Sequence, residues 1–217
     1  MKREFVSFLY LGFLLFSFTS GVYRYRLLDL AAKIFCIYLG FTFLTECIAY
    51  YSAIKFHTNL PVYAIFNIIE LGFISMYFNY CIDVFRKYNI GLYILIAGTL
   101  LGTINIIFIQ PFNSMSSNFL FFEGFCIISM SVFSFFRVLL KSGKTSLLYY
   151  SHFWITSLIL LYWTCTYLYW GLFDYFMFTL GKNMWKLDVS ILLLNSLIYC
   201  SFGIFYLLYT KFKVVYE

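Results

Sequence analysis

A chain of 217 residues that is 63% hydrophobic, only 11% charged and has a mean hydropathy of +0.87 carries more apolar surface than a water-soluble domain can hide. This composition excludes a soluble enzyme or binding domain. At roughly 30 residues per spanning helix and turn, the length fits one membrane domain of about seven helices. The net charge of +6 comes from basic residues lying between the apolar runs. No basic patch with interleaved aromatic residues exists outside those runs, so the charge reads as membrane orientation and headgroup contact and excludes nucleic-acid binding.

Seven apolar segments follow in chain order, at residues 5–23, 31–54, 62–82, 90–109, 119–140, 148–172 and 189–210. The first has Lys2 and Arg3 before it and the small residues Ser17, Thr19, Ser20 and Gly21 near its end, which imitates a signal peptide. No Ala-x-Ala site follows and the run continues to Tyr23, so a retained helix is expected. In the second, Thr42, Thr45, Glu46 and Tyr50 fall on one side of a helix. In the third, Tyr63, Asn67 and Glu70 recur at i, i+4 and i+7. The fourth repeats that spacing with Gly98, Gly102 and Asn105, and its Gly-x-x-x-Gly pair predicts close packing on a neighbouring helix.

Glu123 opens the fifth segment. The sixth carries an aromatic stripe of Trp163, Tyr167 and Trp170, read as core or interface belt, and in the seventh Asn195 and Tyr199 are one turn apart. The connections, 24–30, 55–61, 83–89, 110–118, 141–147 and 173–188, are expected to be short turns. Pro61 and Pro111 both lie in them, so proline breaks no helix. Alternating barrel strands are absent, which leaves helices as the spanning solution. With the N-terminus outside, ten of the fifteen Lys and Arg residues fall on the inner side. The predicted fold is therefore an all-α, seven-helix membrane bundle with an external N-terminus and a cytoplasmic C-terminus.

The acids inside the segments point to a site, because a carboxylate in hydrocarbon is expensive and is usually placed for a purpose. At about 1.5 Å rise per residue, Glu46 and Glu70 lie roughly 3–5 Å outward of the midplane. Asn105, Glu123 and Asn195 lie roughly 7–9 Å outward by the same rise. Polar groups in lipid turn inward, so Glu46, Asn67, Glu70, Asn105, Glu123 and Asn195 are expected to line one pocket in the outer half of the bundle. The plainer alternatives are that Glu123 hydrogen-bonds a neighbour close to water, and that His57 and His152 are isolated histidines without a role.

Other chemistries are argued down. Six cysteines form no Cys-x-x-Cys pair and two histidines lie on opposite sides, so no metal site is expected. The last segment lacks the lysine a retinal protein needs. No intramembrane base stands ready beside a serine or cysteine, and no Walker or dinucleotide fingerprint calls for a cofactor. The expected function is a small receptor-like or accessory module. Its acidic pocket would take a small polar or cationic ligand, or a proton, and signal through a partner protein, since the internal loops and the tail from Lys211 are too short for an effector. Alternatives are a proton- or cation-coupled solute transporter, a structural subunit of a membrane complex, and, least favoured, a lipid-acting enzyme using Glu46 and Glu70 as acid and base.

The stretch Leu60-Pro61-Val62-Tyr63-Ala64-Ile65-Phe66-Asn67-Ile68-Ile69-Glu70, with the later Gln110-Pro111-Phe112-Asn113 and Phe122-Glu123, resembles segments of uncharacterised seven-helix bacterial membrane proteins. The resemblance implies a compact bundle in the bacterial cytoplasmic membrane. It supplies no catalytic residues, but it draws attention to Asn67, Glu70 and Glu123.

Overall fold

A computed structural model describes residues 2–141, 150–181 and 184–211. Among these residues nine α-helices follow one another: α1 (Lys2–Arg24), α2 (Leu30–Phe56), α3 (Leu60–Cys81), α4 (Asp83–Tyr88), α5 (Ile90–Ile104), α6 (Ser117–Lys141), α7 (Ser151–Gly171), α8 (Phe173–Leu180) and α9 (Met184–Leu208). The expected connection after Lys141, and the basic residues Lys144, Lys182 and Lys213, lie outside the described residues.

Six helical stretches are long and apolar enough to cross a membrane: Phe5–Leu27, Leu30–Phe56, Leu60–Cys81, Ile90–Ile109, Ser117–Leu140 and Met184–Lys211. The chain is thus a multi-pass membrane protein by length and composition. The sixth predicted segment, 148–172, forms α7, of 21 residues, but its Tyr, Trp, Ser and Thr content lowers its hydropathy below that of the six.

Local chemistry sets the helix ends. Asp29 caps α2, its Oδ1 accepting the Ala32 N–H at 2.7 Å. His57 stops α2 in the left-handed region at φ 57°, and Pro61 sits in the first turn of α3, where its missing N–H costs nothing. Two expected turns are helical instead. The expected turn at 83–89 holds α4, set off from α3 by extended Ile82 and from α5 by Asn89 at φ 52°. Residues 173–188 hold α8 and the first turn of α9, because Phe173, Phe176 and Met177 continue an apolar pattern where a polar turn was expected. The fourth segment ends in a π-turn over Asn105–Ile109, where the Gln110 N–H reaches the Asn105 carbonyl at 2.7 Å.

The helices α1, α2, α3, α6, α7 and α9 pack in that order around a ring, which α1 closes against α9. Glycines seat that closure. A Cβ at Gly203 of α9 would collide with Phe16 of α1, and one at Gly40 of α2 with Phe18. In hydrocarbon, close packing of this kind replaces the hydrophobic effect as the force between helices. The ring's centre is filled by Phe35, Leu39, Ile74, Tyr77, Phe202 and Tyr206. Helix α5 stays outside and packs mainly on α3. Its buried residues are Gly91, Gly98 and Gly102, while Leu92, Tyr93, Ile96 and Leu100 are exposed. The predicted role of Gly98 and Gly102 in helix packing is what they do. Gly98 abuts Leu71, and Gly102 abuts Ile68 and Phe119.

Candidate functional site

Towards one end the ring is not filled. A cavity of about 310 Å³ extends from the α2–α3 turn, with Asn59 and Leu60 at its rim, down to Glu70. The ring helices α1, α2, α3, α6, α7 and α9 all contribute to its wall, and no Lys or Arg among the described residues lines it.

Three carboxyl groups face this space, and each meets a tyrosine from a different helix. Glu46 of α2 accepts a hydrogen bond from Tyr63 of α3 at 3.0 Å. Glu70 of α3 accepts one from Tyr38 of α2 at 2.6 Å. The two helices thus exchange donors across their contact. Nearer the rim, Asp188 of α9 accepts from Tyr169 of α7 at 2.8 Å. A phenol is a suitable donor here because it satisfies a carboxyl oxygen without importing charge.

Aromatic residues supply much of the remaining wall, alongside aliphatic side chains such as Leu120 and Leu192 and polar ones such as Thr42 and Asn67. Tyr10, Tyr162 and Trp163 face it deep in the ring, and Trp170 and Phe173 near the rim stack with interplanar angle 24°. Two polar atoms on lining residues have no hydrogen-bond partner among the described residues. They are Nε1 of Trp163, a residue 2% exposed, and Oδ1 of Asn195, a residue 8% exposed. Below the cavity a second space of about 20 Å³ is bounded by Phe35, Ile74, Ile159, Ile198 and Phe202 together with Tyr38, and it shares Tyr162, Trp163 and Tyr199 with the cavity.

Of the six residues the sequence selects, four line the cavity: Glu46, Asn67, Glu70 and Asn195. Asn105 does not. It lies in the π-turn, and its Nδ2 donates to Gln110 Oε1 at 3.2 Å, within a network that also holds Ser117 and Asn118. Glu123 does not either. It is fully buried, and neither carboxyl oxygen has a partner among the described residues, which differs from the water-facing helix end expected for it. Of the predicted faces, Thr42 lines the cavity with Glu46, whereas Tyr50 is exposed on the outside. Trp163 and Trp170 of the aromatic stripe line it, while Tyr167 packs edge-on against Phe121.

Asp188 escaped the sequence reading because the seventh segment was begun one residue later. Its signal is the series Asp188, Leu192, Asn195, Tyr199, a single helix face at i, i+4, i+7 and i+11 that lines the cavity throughout. A second constellation also escaped. At the opposite end of the ring the His152 Nε2 and Asp29 Oδ2 atoms are 2.5 Å apart, with both side chains buried. His152 Nδ1 lies 3.3 Å from the Tyr77 hydroxyl, and the Asp29 N–H donates to the Tyr209 hydroxyl at 3.4 Å. Burial pushes the Asp29 carboxyl up, but the hydrogen bond and charge of His152 and the Ala32 N–H outweigh it, and its pKa lies below the ordinary carboxylate value.

No family model, curated protein or solved structure matches this chain.

Proposed function

We propose that the chain is a receptor-like or accessory membrane module with seven spans, α7 being the seventh. Its N-terminus lies outside, its C-terminus lies in the cytoplasm, and its acidic cavity opens outward to take a small cationic ligand or a proton. The observation that carries this reading is the cavity inside the helix ring, faced by Glu46 and Glu70, with no Lys or Arg of the described residues among its lining. A positive guest supplies the missing charge. Because all six ring helices contribute to the lining, a guest that prefers one spacing of those helices shifts the whole ring, and a partner protein reads that shift. The test is a pH and cation titration of tryptophan emission from the purified protein in nanodiscs, using Trp163 and Trp170 as reporters. The response is expected in the native protein and absent from the doubly substituted Glu46→Gln, Glu70→Gln variant. An identical response in that variant sinks the reading.

A second reading, coupled transport of a proton or cation, is favoured by what lies beneath the cavity. From Glu70 a line of contacts runs through Tyr38, Phe35 and Tyr77 to His152 and Asp29 at the far end. Phe35 interrupts the polar groups, as a gate would. Uptake of a labelled amine into proteoliposomes driven by a pH gradient decides for transport.

A further inference from the structure

We infer that the cavity's guest is a small protonated amine that also carries a hydroxyl or carbonyl oxygen and an apolar body. This deepens the cationic-pocket reading and rests on it. The sign of the charge follows from Glu46 and Glu70, and four further observations narrow the chemistry.

First, aromatic rings form a large part of the wall, Tyr10, Tyr162, Trp163 and Trp170 among them. Faces of Trp and Tyr attract an organic cation and accommodate its carbon skeleton, whereas they offer a hydrated metal ion little. Second, no group of three His, Cys, Asp or Glu side chains comes together to hold a metal ion among the described residues. Third, Asn195 lines the same space as the carboxyl groups, and its side-chain oxygen is buried and without a partner among the described residues. These are acceptors, and they call for N–H donors. A primary ammonium has three, and a quaternary ammonium has none. Fourth, Trp163 Nε1 is a buried donor without a partner among the described residues, and indole nitrogen can only donate. An oxygen on the guest completes it. The volume of about 310 Å³ exceeds what a proton or a single small ion fills and stands at the lower edge of small-molecule sites.

The experiment is calorimetric titration of the full chain in nanodiscs with a matched set of probes. They are 2-amino-1-phenylethanol, 2-phenylethylamine, its N-trimethylated analogue, uncharged 1-phenylethanol, and calcium chloride. The amino alcohol is expected to bind saturably. Removing its hydroxyl should weaken binding about tenfold, the usual consequence of stranding one buried donor. Trimethylation should weaken it by at least as much. In Trp163→Phe, which keeps a ring and loses the N–H, the tenfold difference between the first two probes should vanish while 2-phenylethylamine still binds. Asn195→Leu provides a second variant, and should narrow the gap between primary and quaternary amines.

Equal affinity for the quaternary probe, or saturable calcium binding that competes with the amine, overturns the inference and leaves the cationic pocket standing. The same holds if no probe binds while the pH response persists and depends on Glu46 and Glu70. If 1-phenylethanol binds as well as the amines and the Glu46→Gln, Glu70→Gln variant changes nothing, the cationic pocket itself falls.

Discussion

Glu123 differs from the cavity acids in what surrounds it. Glu46 and Glu70 each hold a tyrosine hydroxyl, whereas Glu123 is fully buried with both oxygens unpartnered among the described residues. A buried polar group without a partner costs about 1–3 kcal/mol relative to an apolar group of the same shape. Glu123→Met, which nearly preserves volume, is therefore expected to raise the melting temperature in detergent micelles and to leave cavity binding unaltered. A lower melting temperature would reveal a role that the geometry conceals.

Asp29 presents the opposite case. Its folded pKa is depressed, so its contribution to stability is present above the unfolded value of about 3.9 and is lost as pH falls through the lower folded value. Asp29→Asn keeps an acceptor for the Ala32 N–H and removes only the charge facing His152. Removing one partner of a buried pair costs about 3–5 kcal/mol. The variant should melt well below the native protein at pH 7, and the gap should close below about pH 4. A gap independent of pH refutes the ion-pair account.

These residues also show what a sequence exposes. An acid such as Glu70 stands out in an apolar run because its solvation problem is visible without coordinates. The Asp29–His152 pair is not visible, because its members are 123 positions apart and each alone looks ordinary.

At the scale of elements, hydropathy located every long helix to within a few residues, since the need for about 20 apolar residues leaves little freedom. It misread the short helices α4 and α8, whose ends depend on single backbone conformations at Ile82, Asn89 and Leu172. It also did not indicate which helices surround the site. All seven long helices are predominantly apolar, yet α5 alone stands outside the ring. Its glycine stripe records how it docks, and the tightest point is one the spacing argument passed over. A Cβ on Gly91 would collide with the Ser75 carbonyl oxygen and with Asn79, and the Gly91 N–H donates to Asn79 Oδ1 at 3.0 Å. Backbone does not yield, whereas the Leu71 side chain opposite Gly98 can rotate. Gly91→Ala should therefore destabilise the fold by about 1–3 kcal/mol, the usual range for overpacking, and Gly98→Ala by less. Because α5 contributes no residue to the cavity wall, both variants should bind cations as the native protein does. Loss of binding in Gly98→Ala would place α5 in the functional unit after all.

For the molecule as a whole, the cavity ties the chain's connections to one another. Asn59 before α3, Met115 before α6, Phe173 after α7 and Asp188 in α9 all line it, so these four points lie at one end of the bundle. Helix α6 must then run the length of the ring and α7 run back, although α7, rich in Tyr, Trp and Thr, is by hydropathy the least apolar of the seven long helices. An aromatic, hydroxyl-rich helix suits a ring whose inner face lines a polar cavity. This arrangement and the proposed orientation together fix which sites share a side of the membrane. In a cysteine-free background, single cysteines at His57 and Trp185, both exposed, should react with a membrane-impermeant maleimide on intact cells. A cysteine at exposed Tyr88 should react only after permeabilisation. Reaction of His57→Cys and Trp185→Cys from opposite sides means that α7 does not cross, and the count falls to six spans. Reaction of both only after permeabilisation, with Tyr88→Cys reacting from outside, inverts the orientation and turns the acidic cavity towards the cytoplasm.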